Sequence, residues 1–304
     1  MIVPAAFARS TVEREGETGQ AWLEQLPGIV EDLLSGWDCV VDGAAMHGQV
    51  GVVVPVLAPA PAVLKVSFPH PGNVHEPDAF EAWDGRGAVR LYQRDDDRFA
   101  LLLERAHPAN LAEGPDGADV AVEAGRLHRR LAVPAPPGLP RLQDRADEWE
   151  AELRKDAAEL SHPLPDSVLD AAVAVIHDLG RDQPDILIHG DFHARNILRA
   201  DREPWLAVDP KGYVGDPAYD GAMFLKARTL AYLESDDLMK ELRRELALFA
   251  EAAEIDPERV RLWSQLHCVQ AALHGRRYGF GRARSGPLLD RLNALVDQLA
   301  VSWC

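Results

Sequence analysis

The sequence predicts an α+β chain in two parts, a small sheet-rich N-lobe over residues 1–105 and a larger helical C-lobe over residues 106–304. Three observations predict it. Short apolar runs bounded by Gly, Pro and Asp crowd residues 39–103, the pattern of strands. From about residue 117 onward apolar residues recur at three- and four-residue spacing, as amphipathic helices require. Within that helical half one stretch departs, residues 186–220, ILIHGDFHARNILRADREPWLAVDPKGYVGDPAYD. Two strand-like runs there, 186–188 and 205–208, enclose a polar loop carrying Asp191, His193 and Asn196, and Asp209 follows the second run.

Taken in order, residues 18–35 place Trp22, Leu26, Ile29, Val30 and Leu33 on one face and predict a helix that Pro27 can kink. After Gly36 the pattern changes to strands at 39–41, 51–57 and 62–68. The small-residue turn at 43–49 would cover phosphates in a nucleotide site. It contains no G-x-G-x-x-G and reads equally well as a hairpin turn. Residues 75–83 form a short helix whose first turn suits Pro77. Residues 89–93 and 99–103 pair as a hairpin around a charged, solvated turn at 94–98. Helices follow at 117–131, 141–161, 166–180, 217–233, 236–253, 257–278 and 287–301, with a Pro-rich loop after the first. The basic, Gly-rich run 275–284 reads as a helix C-terminus and solvated loop, where cations suit the helix dipole.

The spacing in the central loop has a chemical meaning. In phosphoryl transfer an Asp orients the attacking hydroxyl or accepts its proton, and an Asn five positions later reaches magnesium. Asp191 and Asn196 have that spacing, and Asp209, at the end of the next strand, is the candidate for the carboxylate that holds the magnesium on the nucleotide phosphates. Pro210-Lys211-Gly212 follows Asp209 where a protein kinase has Phe-Gly, and His189-Gly190 precedes Asp191 where it has His-Arg. Both departures argue against a protein kinase.

Lys65 stands in the apolar run Val63-Leu64-Lys65-Val66, where a charge needs solvent or a partner. One reading is a solvated outer strand face. The other is the strand lysine that contacts the α- and β-phosphates and is steadied by a helix glutamate. Glu76 is the preferred partner and Glu81 the alternative. Where sheet gives way to helix, Glu104, Arg105 and Ala106 are candidates to hold the nucleotide base through backbone groups alone.

Composition bounds the rest. A net charge of −17 disfavours a broad nucleic-acid or anionic-membrane surface and is compatible with a cationic substrate, although acidic surfaces also serve solubility. Cys39, Cys268 and Cys304 form no C-x-x-C pair, so reduced thiols are expected. With no charged start leading into an apolar run, and no window near ~18 uninterrupted apolar residues, a cytoplasmic protein without a membrane span is expected. Two rivals to a kinase are a non-catalytic nucleotide-binding protein on the same lobes and a metal hydrolase using His189, Asp191 and His193. No G-x-x-x-x-G-K-[ST] supports another kind of nucleotide site.

Together AVLKVSF, FEAWDGRGAVRLY, LLLERA, LIHGDFHARNILR and WLAVDPKGYVGDPAYD resemble the aminoglycoside phosphotransferase family, kinases on the protein-kinase-like fold. The closer likeness is to its streptomycin 6-phosphotransferase and hydroxyurea phosphotransferase branch. The resemblance implies a bilobal fold with an antiparallel-sheet N-lobe, and transfer of the γ-phosphoryl group of ATP, with Mg2+, to a hydroxyl of a small and cationic acceptor. It implies Asp191 as base, Asn196 and Asp209 on magnesium, and Lys65 with a helix Glu on the phosphates. A monomer or weak dimer is expected, as are other small metabolites as alternative acceptors.

Overall fold

The computed structural model describes residues 3–114, 117–281 and 283–304. The chain divides into two compact units, Met1–Pro108 with Leu198–Lys211, and Ala109–Ile197 with Gly212–Cys304. A single cut after residue 105 therefore omits one excursion, the segment that returns to the first unit.

The first unit is a helix on a twisted antiparallel sheet. Strands β1 (Val40–Val41), β2 (Met46–His47), β3 (Gly51–Ala58), β4 (Ala60–Ser67), β5 (Leu91–Asp95) and β6 (Ala100–Glu104) assemble in the order β1-β3-β4-β6-β5, with β2 also on β3. Period-two alternation sends Val52, Val54 and Val56 of β3 and Leu64 and Val66 of β4 to one face, and all are buried. Helix α1 (Ala5–Gly36) lays Phe7, Trp22, Leu26, Val30 and Leu33 on that face. Each such side chain contributes about 1.5–3 kcal/mol by leaving water. Lys65 is thereby turned to the opposite face. The helix begins thirteen residues earlier than the periodicity from 18 predicts, since Gly16 (φ 60°, ψ −136°) interrupts it and hides the common face in the sequence. The turn predicted at 43–49 is partly the short strand β2, and the second hairpin begins two residues later than predicted, at Leu91.

After α2 (Glu76–Trp83), the excursion joins this unit through the ribbon of β9 (Ile197–Arg199) and β10 (Trp205–Ala207). Val89 N–H donates to Ala207 O and Ala207 N–H to Gly87 O. Arg202 secures it further, donating to both Glu104 carboxylate oxygens and to the Gly85 and Ala88 carbonyls.

The second unit is helical around a small sheet of β7 (Val133–Pro134), β8 (Ile186–Ile188) and β11 (Tyr213–Val214), in the order β11-β8-β7. Its helices are α3 (Gly117–Leu131), α4 (Ala146–Glu159), α5 (Asp166–Val175), α6 (Pro217–Arg228), α7 (Leu238–Ala253), α8 (Pro257–Tyr278) and α9 (Gly286–Ser302). Helix α5 ends in a wide π turn over Ile176–Gly180, and α6 tightens to a 3-10 turn over Thr229–Tyr232, so the regular helices are shorter than periodicity predicts. Helices α3 and α7 meet at Gly125, where a Cβ would stand 2.6 Å from Phe249 O and 2.8 Å from the Ala252 Cβ. The basic run that begins in the last turn of α8 is less solvated there than expected. Arg276 forms a bidentate pair with Asp297, and Arg277 pairs with Asp156 and Glu159; Arg282 lies outside the described residues. Among the described residues no helix is long and apolar enough to cross a membrane.

Candidate active site

In the first unit, the face opposite α1 carries Lys65, whose ammonium lies 2.5 Å from Glu76 Oε1 and 2.7 Å from Asp209 Oδ1. The sheet places Lys65, the first turn of α2 places Glu76, and the chain leaving β10 places Asp209. Glu81 is separate from this set. It is exposed and faces Arg94, which also pairs with Asp78 and Asp96. The lysine is therefore no solvated strand residue, and Glu76 is its partner.

Glu76 is buried, and burial pushes its carboxyl up, while the adjacent Lys65 pulls it back. Burial opposes the charge of Lys65, but the Asp209 and Glu76 carboxylates outweigh it and raise the ammonium above its ordinary value. Asp209 sits at φ 60°, a left-handed conformation uncommon for a residue with a side chain. Such a conformation persists where neighbours enforce it, here the ion pair to Lys65 and the approach of Lys211 at 4.0 Å to Oδ2. Glu104 donates its N–H to Arg90 O, so that group is not available to a nucleotide base. Its side chain is taken by Arg202. Ala106 lies just beyond the end of β6, in irregular backbone.

In the second unit, the loop after β8 alternates between inward and outward residues. His189 and Phe192 are buried, whereas Asp191 and His193 are partly exposed. Phe192 rests on His128 of α3 (centroids 5.3 Å apart) and on Phe249 of α7 (6.3 Å). Gly190 turns the chain at φ 78°, a left-handed conformation that glycine adopts without steric cost. The His189 ring accepts the Asp191 N–H through Nδ1 at 3.3 Å, a bond to the backbone of its own loop. Asn196 donates Nδ2 to the Asp191 carbonyl (3.1 Å), which leaves Oδ1 as the end suited to a hard cation. Among the described residues no group of three or more His, Cys, Asp and Glu is disposed to hold a metal.

Sequence reasoning missed the support under this loop. Asp220 of α6 accepts the N–H groups of His189 (2.7 Å) and Gly190 (2.8 Å) on separate carboxylate oxygens. Burial pushes its carboxyl up to about 7, against the pull of those two N–H groups. Asp216 caps α6 at Ala218 N and receives Trp263 Nε1 and the Arg259 guanidinium. A carboxylate inside the otherwise apolar run Ala218-Gly221-Ala222-Phe224-Leu225 was the available signal.

The sign of the Asp220 shift gives a prediction. A carboxyl whose folded value is raised contributes stability that is fully present below about pH 4 and lost as pH rises through about 7. Asp220→Asn leaves one N–H without an acceptor and costs about 1–3 kcal/mol at pH 5. The gap to wild type narrows by pH 8, and urea denaturation at both pH values measures it.

A strand lysine paired with a helix glutamate, and an H-G-D loop with an Asn five residues beyond Asp191, on a sheet-rich and a helical unit, define a kinase of the protein-kinase-like class. The profile of the aminoglycoside/hydroxyurea antibiotic resistance kinase family matches residues 36–279, and the chain belongs to that family. It is 34% identical over 275 residues to a streptomycin 6-kinase of Streptomyces glaucescens, covering 89% of this chain and 90% of that one. It is also 34% identical over 277 residues to a hydroxyurea phosphotransferase of Kitasatospora aureofaciens, covering 89% and 79%. Among solved structures it matches an ethanolamine kinase of Plasmodium vivax with a TM-score of 0.60 at 11% identity, covering 100% of this chain and 98% of that one. It matches LicA in complex with AMP with a TM-score of 0.56 at 13% identity, covering 91% and 98%. The protein is thus a phosphotransferase of hydroxyl groups that uses a nucleotide.

Proposed function

We propose that the protein is an ATP- and magnesium-dependent streptomycin 6-phosphotransferase. The observation that carries the acceptor is the similarity to the streptomycin 6-kinase, which runs along nine-tenths of both chains. A net charge of −17 suits an acceptor bearing guanidinium groups.

In this reading Asp191 orients the acceptor hydroxyl and takes its proton as the new P–O bond forms, the bond to the β-phosphate oxygen breaks and ADP leaves. Lys65, held by Glu76, contacts the α- and β-phosphates. The base is held by backbone groups at Glu104 and Ala106, with the Glu104 N–H excluded. Asp209 and Asn196 would supply oxygen ligands to magnesium, which neutralises developing phosphate charge. Side chains contribute mainly position and charge, because the transferring phosphoryl group needs little covalent assistance. The working state we propose is a cytoplasmic monomer or weak dimer without nucleic-acid or membrane partners.

Hydroxyurea is the second acceptor to test, given the equal identity to the hydroxyurea phosphotransferase. ATP consumption with magnesium is measured against streptomycin, further aminoglycosides and hydroxyurea. We expect turnover with streptomycin and, by NMR, one new phosphate ester at the 6-hydroxyl of its cyclitol. Turnover with hydroxyurea alone would move the assignment to that acceptor, and no turnover with any of them would remove the antibiotic assignment.

A further inference from the structure

We infer that His193 is a positioning residue that fixes the carboxylate of Asp191, an inference that rests on Asp191 receiving the acceptor proton. His193 stands in extended backbone (φ −147°, ψ 159°) at the head of the 3-10 turn Ala194–Asn196, and its Nδ1 accepts the Asn196 N–H at 3.2 Å. A ring nitrogen that accepts a hydrogen bond carries no proton, so the neutral ring carries its proton on Nε2. That nitrogen lies 3.7 Å from Asp191 Oδ1. Asn196 in turn donates to the Asp191 carbonyl, so two hydrogen bonds link ring, turn and main chain within six residues and only the 3.7 Å approach of Nε2 to the carboxylate remains to close. A separation of 3.7 Å is loose for a hydrogen bond, and catalytic contacts of this kind tighten when substrate binds.

This arrangement acts on orientation. The terminal torsion of an aspartate is broad, and the carboxylate is about 30% exposed, so little else restrains its plane. An N–H on Oδ1 holds that plane and presents Oδ2 to the acceptor hydroxyl. The ring's two nitrogens do separable jobs. Nδ1 caps the turn, and Nε2 orients the base.

Two substitutions separate them. His193→Asn retains a good capping side chain that reaches Asn196 N but not Asp191. His193→Gln carries an amide N–H at about the reach of Nε2 and caps poorly. With ATP, magnesium and streptomycin, we expect His193→Asn to lower kcat about 10- to 100-fold, the worth of a hydrogen bond to a charged group, with both KM values and thermal unfolding unchanged. We expect His193→Gln to recover most of the lost rate while unfolding at lower temperature. Slow ATP hydrolysis, with water as acceptor, gives the same readout independently of the antibiotic. The reverse order, or equal rates in the two variants, would overturn the inference. Asp191→Ala run alongside distinguishes the failures. If that variant is inert and His193→Asn fully active, the positioning role alone is lost; if Asp191→Ala is itself active, the reading of Asp191 goes with it.

Discussion

Replacing Asp191 by alanine is expected to lower kcat about 10²- to 10⁴-fold, the range over which a positioned proton acceptor accelerates a reaction. KM for nucleotide and acceptor should change little, because the carboxylate acts on a proton that moves only during transfer. The protein should remain folded. Asn196 bonds to the main-chain carbonyl of Asp191 and Asp220 holds the two preceding N–H groups, so neither contact involves the side chain that is removed. A partly exposed side chain of this kind changes stability within about 0.5 kcal/mol when replaced. Steady-state kinetics beside a thermal melt checks both halves, and a variant retaining more than a small fraction of wild-type kcat with intact KM would remove Asp191 from the role of base.

The second large effect is expected at Lys65. Lys65→Met keeps the length of the side chain and removes its charge from between two carboxylates. Glu76 is then a buried carboxylate without its cation, and breaking such a pair costs about 3–5 kcal/mol. With burial unopposed by the lysine, the Glu76 carboxyl rises further, so the loss of stability shrinks as pH falls and the group protonates. Activity should fall about 10²- to 10³-fold in kcat/KM for ATP, comparable to the loss of one preorganised donor to developing negative charge. Urea denaturation at pH 5 and 8, together with ATP kinetics, tests this. Lys65→Met that is as stable as wild type at pH 8 would mean that the ion pair does not set the energetics of this face.

These two residues were legible in the sequence for different reasons. Lys65 stood out because period-two alternation already exposed a charge in an apolar strand, and the short helix behind it could offer few carboxylates. Asp191 and Asn196 stood out because their roles are fixed by five residues of local spacing. What escaped was long-range. Asp220 and His128 come to the loop from α6 and α3, and neither spacing nor composition announces a contact across such separations. The strands β9 and β11, three and two residues long, carry too few side chains for any period to register. The excursion of Leu198–Lys211 depends on Arg202 reaching Glu104 and two carbonyls, a set of bonds that exists only once the first unit has formed.

Gly125 lies outside every chemical motif, yet the missing side chain there decides how closely α3 and α7, which carry His128 and Phe249 to Phe192, can approach. Mutational scans rank positions by the activity each change removes. Such a ranking does not separate a group that handles a proton from a hydrogen atom that leaves room. Alanine at 125 would force α3 and α7 apart and so disturb the packing under Phe192, with every ionisable group of the loop still present.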